Sequence, residues 1–228
     1  MWHYDQCIRV ADENSIQQAA DCAGKLGWKG GCFLLPQERF EQLKEPALAK
    51  LYGNFAAYFG LEITTDRPAQ IRKLASTYRK EALVIAAVCQ TSEGLRAALE
   101  TAELDIVLPQ WVAEARPQLD HVMAAFAKKN NVAVCLSFGQ LLHSSRLSRI
   151  TAMRSMLQAA RLLRKCKAPF VLSAEARSAF DLRAPYDLMA FGRQLGLRPE
   201  PGLDGALMAE NRKRLSGAWV MPGVEMVK

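Results

Sequence analysis

The sequence predicts an α/β fold, a TIM-like (β/α) barrel that is irregular at its closing seam and has seven to eight strands. Short apolar runs alternate with amphipathic helical patterns along the chain. The centres of successive runs lie roughly 20 to 40 residues apart, which leaves room for one helix and two loops, as in repeated βα units around a parallel sheet. A length of 228 residues suits one such domain.

Seven short apolar runs are the predicted strands. They are residues 7–10, 31–35, 58–63, 83–88, 105–108, 132–136 and 170–173. An eighth strand would have to follow the helix predicted at 185–195, where the sequence offers only poor candidates. We therefore predict seven strands more firmly than eight.

Helical patterns fill the intervals between these runs. They are residues 15–26, 36–43, 47–51, 68–78, 92–99, 117–129, 144–165 and 185–195. Ser15 is predicted to cap the first helix and Thr91 or Ser92 the fifth, while Pro46 separates two short helical turns. We expect one domain over residues 1–228, ending in a helix and tail at 203–228.

One segment of the chain holds most of the positive charge. The protein has 30 Lys or Arg against 23 Asp or Glu, a net charge of +7 and a pI near 9.2. Residues 121–174 contain nine Lys or Arg and no carboxylate side chain, so the rest of the chain is slightly acidic. A charge concentrated in this way indicates a surface that meets a polyanion.

The helix predicted at 144–165 carries most of this charge. At about 100° per residue, its cations fall within about 160° of one another. They are Arg146, Arg149, Arg154, Arg161, Arg164 and Lys165. The apolar residues of the same helix are expected to pack on the opposite side. They are Leu147, Ile150, Met153, Leu157 and Ala160. Solvated faces normally mix both signs, so this face favours phosphate binding.

The sequence argues against a self-contained active site. Its three histidines, His3, His121 and His143, show no metal-binding spacing. Its paired glycines precede a strand, whereas a phosphate-binding glycine loop follows one. There is no G-x-S-x-G motif around a nucleophile. We therefore predict no catalytic residue and no metal or other cofactor bound by the protein itself.

Four acids stand out because each lies at or beside the end of a strand or helix. They are Asp5, Glu62, Asp105 and Asp187. Glu62 suits a base, a ligand or, as we favour, the partner of a buried arginine. Asp187 lies in a first helical turn, where it complements the helix dipole.

The cysteines and the apolar segments predict the setting of the protein. The six cysteines form no C-x-x-C pair, which is typical of reduced thiols, and Cys7, Cys32 and Cys135 are expected to be small buried hydrophobes. No apolar segment reaches the length of about 20 residues that a membrane span needs. We expect a cytoplasmic protein without a membrane partner.

The order of several short segments resembles the ribonuclease P protein component 3 family, the archaeal homologues of the barrel-shaped subunit of eukaryotic nuclear ribonuclease P. The most specific part is residues 168–174, APFVLSA, followed by residues 182–187, LRAPYD. The other matching parts are Tyr4-Asp5, residues 60–63, residues 105–107, residues 121–134 and Arg149. The likeness extends over nearly the whole chain.

The resemblance implies a barrel subunit of the endoribonuclease that removes the 5′ leader of precursor tRNA. In that family the catalytic RNA, with bound Mg²⁺, performs the hydrolysis, so the isolated chain is expected to be inactive. The expected partners are ribonuclease P RNA, protein component 2 and other protein components, with precursor tRNA contacted indirectly.

The resemblance also implies which residues face RNA or a partner. By position, these are Arg149, Arg183 and Asp187. Further phosphate contacts are expected from Arg72, Arg79, Arg146, Arg154 and Arg161.

Two alternatives stay open from the residues alone. A metal-dependent phosphoesterase on a related barrel would use His3, Asp5 and Glu62 near strand ends. An enzyme acting on a small phosphorylated metabolite would use a phosphate site of the barrel.

Overall fold

A parallel sheet of seven strands forms the centre of the fold in the computed structural model, which describes residues 3–10, 12–43, 50–113, 115 and 117–199, and the backbone of 219–221 and 224–225. In chain order these strands are β1 (Tyr4–Ile8), β2 (Gly30–Pro36), β4 (Phe55–Thr64), β5 (Ile85–Cys89), β6 (Ile106–Pro109), β7 (Ala133–Ser137) and β8 (Phe170–Ser173). Each pairs in parallel with the next, from β1 to β8. The TIM-like barrel and all seven predicted strands are confirmed.

Helices follow the strands as predicted. They are α1 (Glu13–Lys25), α2 (Gln37–Phe40), α3 (Pro68–Tyr78), α4 (Ser92–Glu100), α5 (His121–Asn130), α6 (Phe138–Leu142), α7 (Arg146–Cys166) and α8 (Pro185–Gln194), with a 3₁₀ turn at Ala179–Asp181. Asp12, and not Ser15, caps α1, because its side chain accepts the Ser15 amide at 2.9 Å. None of the helices in the described part of the chain is long and apolar enough to cross a membrane.

The helical turn predicted at 47–51 is wrong where the structure describes it. Residues Lys50–Tyr52 form β3, which pairs antiparallel with β4. The two-residue turn Gly53-Asn54 closes this hairpin, with Gly53 at φ +57°, a conformation that glycine adopts without strain.

The C-terminal helix predicted within residues 203–228 lies outside the described residues. Towards the end of the chain, β9 (Trp219–Met221) and β10 (Val224–Glu225) pair antiparallel.

Both faces of the parallel sheet are buried, and they separate two apolar clusters. On β2, Phe33 and Leu35 face the layer of helices, whereas Cys32 and Leu34 belong to the second cluster. This second cluster fills the barrel, because successive side chains on a strand alternate between the two faces. Cys7 and Cys135 also lie in it, fully buried, which confirms the prediction of small buried hydrophobes.

Side chains close the seam between β1 and β8, the two ends of the parallel path. The Ser173 hydroxyl donates to Asp5 Oδ1 at 2.5 Å, and the Ala174 amide donates to Asp5 Oδ2 at 3.4 Å. The Arg9 amide donates to the Ala176 carbonyl at 2.8 Å. The predicted irregular seam is therefore a polar one, built on a fully buried carboxyl group.

The seam should make stability depend on pH. Burial raises the pKa of Asp5, and the hydrogen bonds from Ser173 and two backbone amides only partly oppose this. The folded state therefore holds the proton more tightly than the unfolded chain, so this contribution to stability is complete at low pH and is lost as the pH rises through the raised pKa. The difference in unfolding free energy between wild type and Asp5→Asn should accordingly shrink from pH 4 to pH 8.

Urea titrations of both proteins across this pH range would measure the difference. The exposed carboxylate of Asp21 on α1 provides the control, since Asp21→Asn should leave the pH dependence of wild type unchanged. A difference between wild type and Asp5→Asn that is constant with pH would show that the Asp5 pKa is not raised.

Candidate nucleic-acid interface

The basic helix α7 lies on the outside of the barrel and presents its cations to solvent. It begins after Ser145, whose side chain accepts the Ser148 amide, and ends at Lys167, which has a left-handed φ of 53°. Five of its cations are exposed: Arg146, Arg154, Arg161, Arg164 and Lys165. No acid lies in its first turn, and the nine cations of residues 121–174 have no acid among them.

The packing side predicted for α7 is wrong. The buried residues are Ala152, Met156, Ala159, Ala160 and Leu163, so only Ala160 of the predicted apolar set is fully buried. Leu147 is 77% exposed and Ile150 is 46% exposed. At about 100° per residue both lie within the sector of the cations, whereas the small alanines opposite allow α7 to approach the sheet closely. The outer face of α7 is therefore cationic and apolar at once.

Arg149 and Arg183, the two arginines emphasised by the family resemblance, meet the same short helix. Arg149 donates from Nε to the Leu141 carbonyl at 2.8 Å and from Nη2 to the Ser144 carbonyl at 3.0 Å. The Arg183 guanidinium lies 5.5 Å from the centre of the Phe138 ring. Both arginines thus hold α6, which follows β7, and use part of their hydrogen-bonding capacity within the fold.

The other predicted contacts are spread over the surface. Asp187 is exposed in the first turn of α8. Arg72 is exposed on α3 and lies 3.4 Å from Glu100, which Arg96 also contacts. The structure does not bring these residues together with α7 into one cluster.

Arg79 has a structural role that the sequence did not reveal. It is only 14% exposed and forms an ion pair with Asp105 at 2.8 Å. It also donates to the carbonyl oxygens of Glu103 and Ala82. Since the Asp105 carboxylate accepts the Ile85 amide as well, this pair fastens β5 to the start of β6.

Sequence reasoning missed the polar network at the carboxyl-terminal end of the barrel. Arg9 binds Glu62 through two hydrogen bonds, of 2.6 and 2.7 Å, and Glu175 through a third of 2.9 Å. Gln140 donates to Glu175 Oε2 at 2.8 Å and Gln110 donates to Oε1 at 3.3 Å. These groups come from the ends of β1, β4, β6, β7 and β8, the position where TIM barrels carry their catalytic groups.

The network is an internally satisfied ion-pair cluster. Burial lowers the pKa of Arg9, but the hydrogen bonds and charge of Glu62, together with Glu175, outweigh it and raise the pKa above its ordinary value. Arg9 is therefore a permanent cation. Every carboxylate oxygen of Glu62 and Glu175 accepts at least one hydrogen bond. Glu62 is thus the partner of a buried arginine, as favoured from the sequence.

The acids and histidine of the phosphoesterase alternative do not converge. Tyr4, next to His3, pairs with Gly30, whereas Glu62 pairs with Pro36 at the other end of β2. Six residues of strand place these two levels about 20 Å apart. Asp5 is taken up by the seam, and no group of three or more His, Cys, Asp or Glu in the described ranges could hold a metal ion.

Comparison with known proteins identifies the family. The sequence model of the family described as RNase P subunit p30 matches residues 3–207. Ribonuclease P protein component 3 of Natronomonas pharaonis is 31% identical over 93% of this chain and 89% of that protein. The Methanothermobacter thermautotrophicus protein of the same name is 30% identical, over 86% and 82% of the two chains.

The fold also matches a solved structure. A chain of an archaeal ribonuclease P determined with mature tRNA superimposes with a TM-score of 0.78 and 23% identity, covering 99% of this chain and 98% of that one. On the family match over residues 3–207, this chain belongs to the RNase P subunit p30 family.

Proposed function

We propose that this protein is a non-catalytic, RNA-binding subunit of ribonuclease P, the endoribonuclease that removes the 5′ leader of precursor tRNA. The observation that carries the proposal is the outer face of α7, where Arg146, Arg154 and Arg161 are exposed without a neighbouring acid on the helix. Arginines of this kind bind phosphate groups of any sequence. Family membership supports the identity of the ribonucleoprotein.

The chemistry belongs to the RNA in this proposal. Mg²⁺ bound to ribonuclease P RNA supplies the hydrolytic step, and the protein holds that RNA. The carboxylates at the usual catalytic end of the barrel, Glu62 and Glu175, are already bound by Arg9. This arrangement supports a scaffolding role for the chain.

The contacts within the complex follow from which side chains are available. Arg146, Arg154 and Arg161 are the principal phosphate contacts, and Arg149 and Arg183 position α6 beside them. Arg72 and Asp187 contribute at separate places on the surface. Arg79 is left out of the contact set because its guanidinium is bound inside the fold. Protein component 2 and the other protein components bind the same assembly, and precursor tRNA is reached through it.

Reconstitution with the cognate RNA tests the proposal. The purified chain alone should leave precursor tRNA intact. Added together with component 2 to ribonuclease P RNA, it should lower the Mg²⁺ concentration needed for 5′ cleavage. Component 2 with RNA, but without this chain, is the control. An unchanged Mg²⁺ requirement, or cleavage by the protein alone that is lost in Glu62→Ala, would contradict a supporting role.

A further inference from the structure

Aliphatic side chains are exposed around the amino-terminal end of α7. The described residues include seven large hydrophobic side chains that are exposed. Four of them belong to this region: Val112, Val122, Leu147 and Ile150. Leu147 and Ile150 lie on the first two turns of α7 itself. We name these four residues the aliphatic patch.

The fold places the four residues of the aliphatic patch at one end of the molecule. Helices α5 and α7 each follow a strand of the parallel sheet and return antiparallel to it, so their first turns lie at the same end. Val122 is in the first turn of α5, and α5 packs beside α7. Val112 lines one cavity with Ser145 and Ser148 of the α7 amino terminus. The patch therefore extends across neighbouring elements.

Cations surround the aliphatic patch. Arg146 and Arg154 flank Leu147 and Ile150 on α7, and residues 121–174 contain no acid. The nearest acid in sequence, Asp120, accepts the Met123 amide and so caps α5. An exposed aliphatic centre with a charged rim is typical of a protein-binding surface. A phosphate backbone would use the cations but would leave the aliphatic side chains without apolar contacts.

We infer that the aliphatic patch binds another protein subunit of the same ribonucleoprotein, through an apolar surface of that subunit rimmed by Asp or Glu. This inference rests on the proposed function. Burying Leu147 and Ile150 supplies affinity, because removing apolar area from water is favourable. Pairing of the acidic rim with Arg146 and Arg154 selects the partner and sets its orientation. The carboxyl-terminal half of α7, with Arg161, Arg164 and Lys165, is left available for RNA.

The double variant Leu147→Gln/Ile150→Gln tests the inference on the full chain. Glutamine removes the apolar contact and keeps a helix propensity close to that of leucine, so the fold should be retained. Each of the other ribonuclease P protein subunits would be titrated separately into wild type and variant by calorimetry. At least one subunit should bind wild type and lose tenfold or more in affinity for the double variant. That complex should also weaken as salt is added.

Leu51→Gln is the matched control, because Leu51 is 73% exposed on β3 and outside the aliphatic patch. It should change no affinity. The inference is overturned if no subunit binds wild type, or if none loses affinity for the double variant. It is also overturned if the variant loses RNA binding instead, which would make RNA the occupant, or if it abolishes self-association of wild type, which would make a second copy the occupant. The Mg²⁺ dependence of reconstituted cleavage tests the proposed function separately.

Discussion

Replacing Arg146, Arg154 and Arg161 with glutamine should reduce the affinity for ribonuclease P RNA about 100-fold or more near physiological salt, since each phosphate contact contributes through counterion release. The plot of log affinity against log salt should become shallower by about 2 to 3, at roughly 0.7 to 0.9 for each phosphate that the protein no longer neutralises. All three arginines are exposed on α7, so the variant should melt at the temperature of wild type.

The control removes the same charge from elsewhere. Lys25, Arg39 and Arg96 are exposed and lie outside α7, and their triple glutamine variant has the same net charge as the α7 variant. If both triple variants flatten the salt dependence equally, RNA responds to total charge and α7 is not its contact surface. Filter binding at five salt concentrations, with duplex and single-stranded competitors, is sufficient to separate the two outcomes.

The strands were predictable because the parallel sheet is buried on both faces. Each strand then reads as a short continuous apolar run, as residues 132–136 and 170–173 do, with no need to assign its two faces. The concentration of cations in residues 121–174 was equally visible, since charge can be counted along the chain. Both signals are local in sequence, and both are present in the structure.

The orientation of α7 was not predictable from its own residues. Apolar side chains occur around much of its circumference, including Leu147 and Ile150 on the exposed side and Met156 and Leu163 on the buried side. What decides between the sides is how closely the helix approaches the sheet, and the small side chains of Ala152 and Ala159 favour the observed one. A count of large hydrophobic residues overlooks alanine, whose contribution is close approach.

The polar network at the end of the barrel was missed for a different reason. Arg9 contacts Glu62 across 53 residues of sequence and Glu175 across 166, and no spacing rule connects such distant positions. One signal was available. Arg9, Glu62 and Glu175 each lie at the carboxyl-terminal end of a strand, on the inward-facing alternation of β1, β4 and β8. Charged residues at such positions in a barrel meet one another, whatever their separation in the chain.

Arg9→Met should lower the unfolding free energy by about 3 to 5 kcal/mol, the usual cost of leaving buried charges without their partner. Glu62 is 8% exposed and Glu175 is 2% exposed, so water cannot replace the guanidinium. Arg9→Lys should be less damaging, but a lysine cannot reproduce the two parallel hydrogen bonds to Glu62. Urea unfolding at pH 7 would measure these differences. Arg193→Met, at an exposed position of α8, should change stability by less than about 0.5 kcal/mol.

Two further measurements identify uncompensated carboxylates as the cause. Adding Glu62→Gln and Glu175→Gln to Arg9→Met should recover more than half of the lost stability, because the amides carry no charge. Mildly acidic pH should partly rescue Arg9→Met alone by neutralising the same carboxylates. If the added glutamines give no recovery, the missing packing of the Arg9 side chain, and not buried charge, explains the effect.

The same variant separates the interior of the barrel from the proposed RNA surface. Arg9 is bound by Glu62 and Glu175 inside the barrel, whereas Arg146, Arg154 and Arg161 are exposed on the outer helix α7. At a temperature where Arg9→Met is still folded, its RNA affinity and salt dependence should therefore equal those of wild type. The α7 triple variant should show the opposite pair of results, with normal stability and weakened binding. If RNA binding fell in Arg9→Met while the protein stayed folded, the polar network would have to contribute directly to holding the RNA.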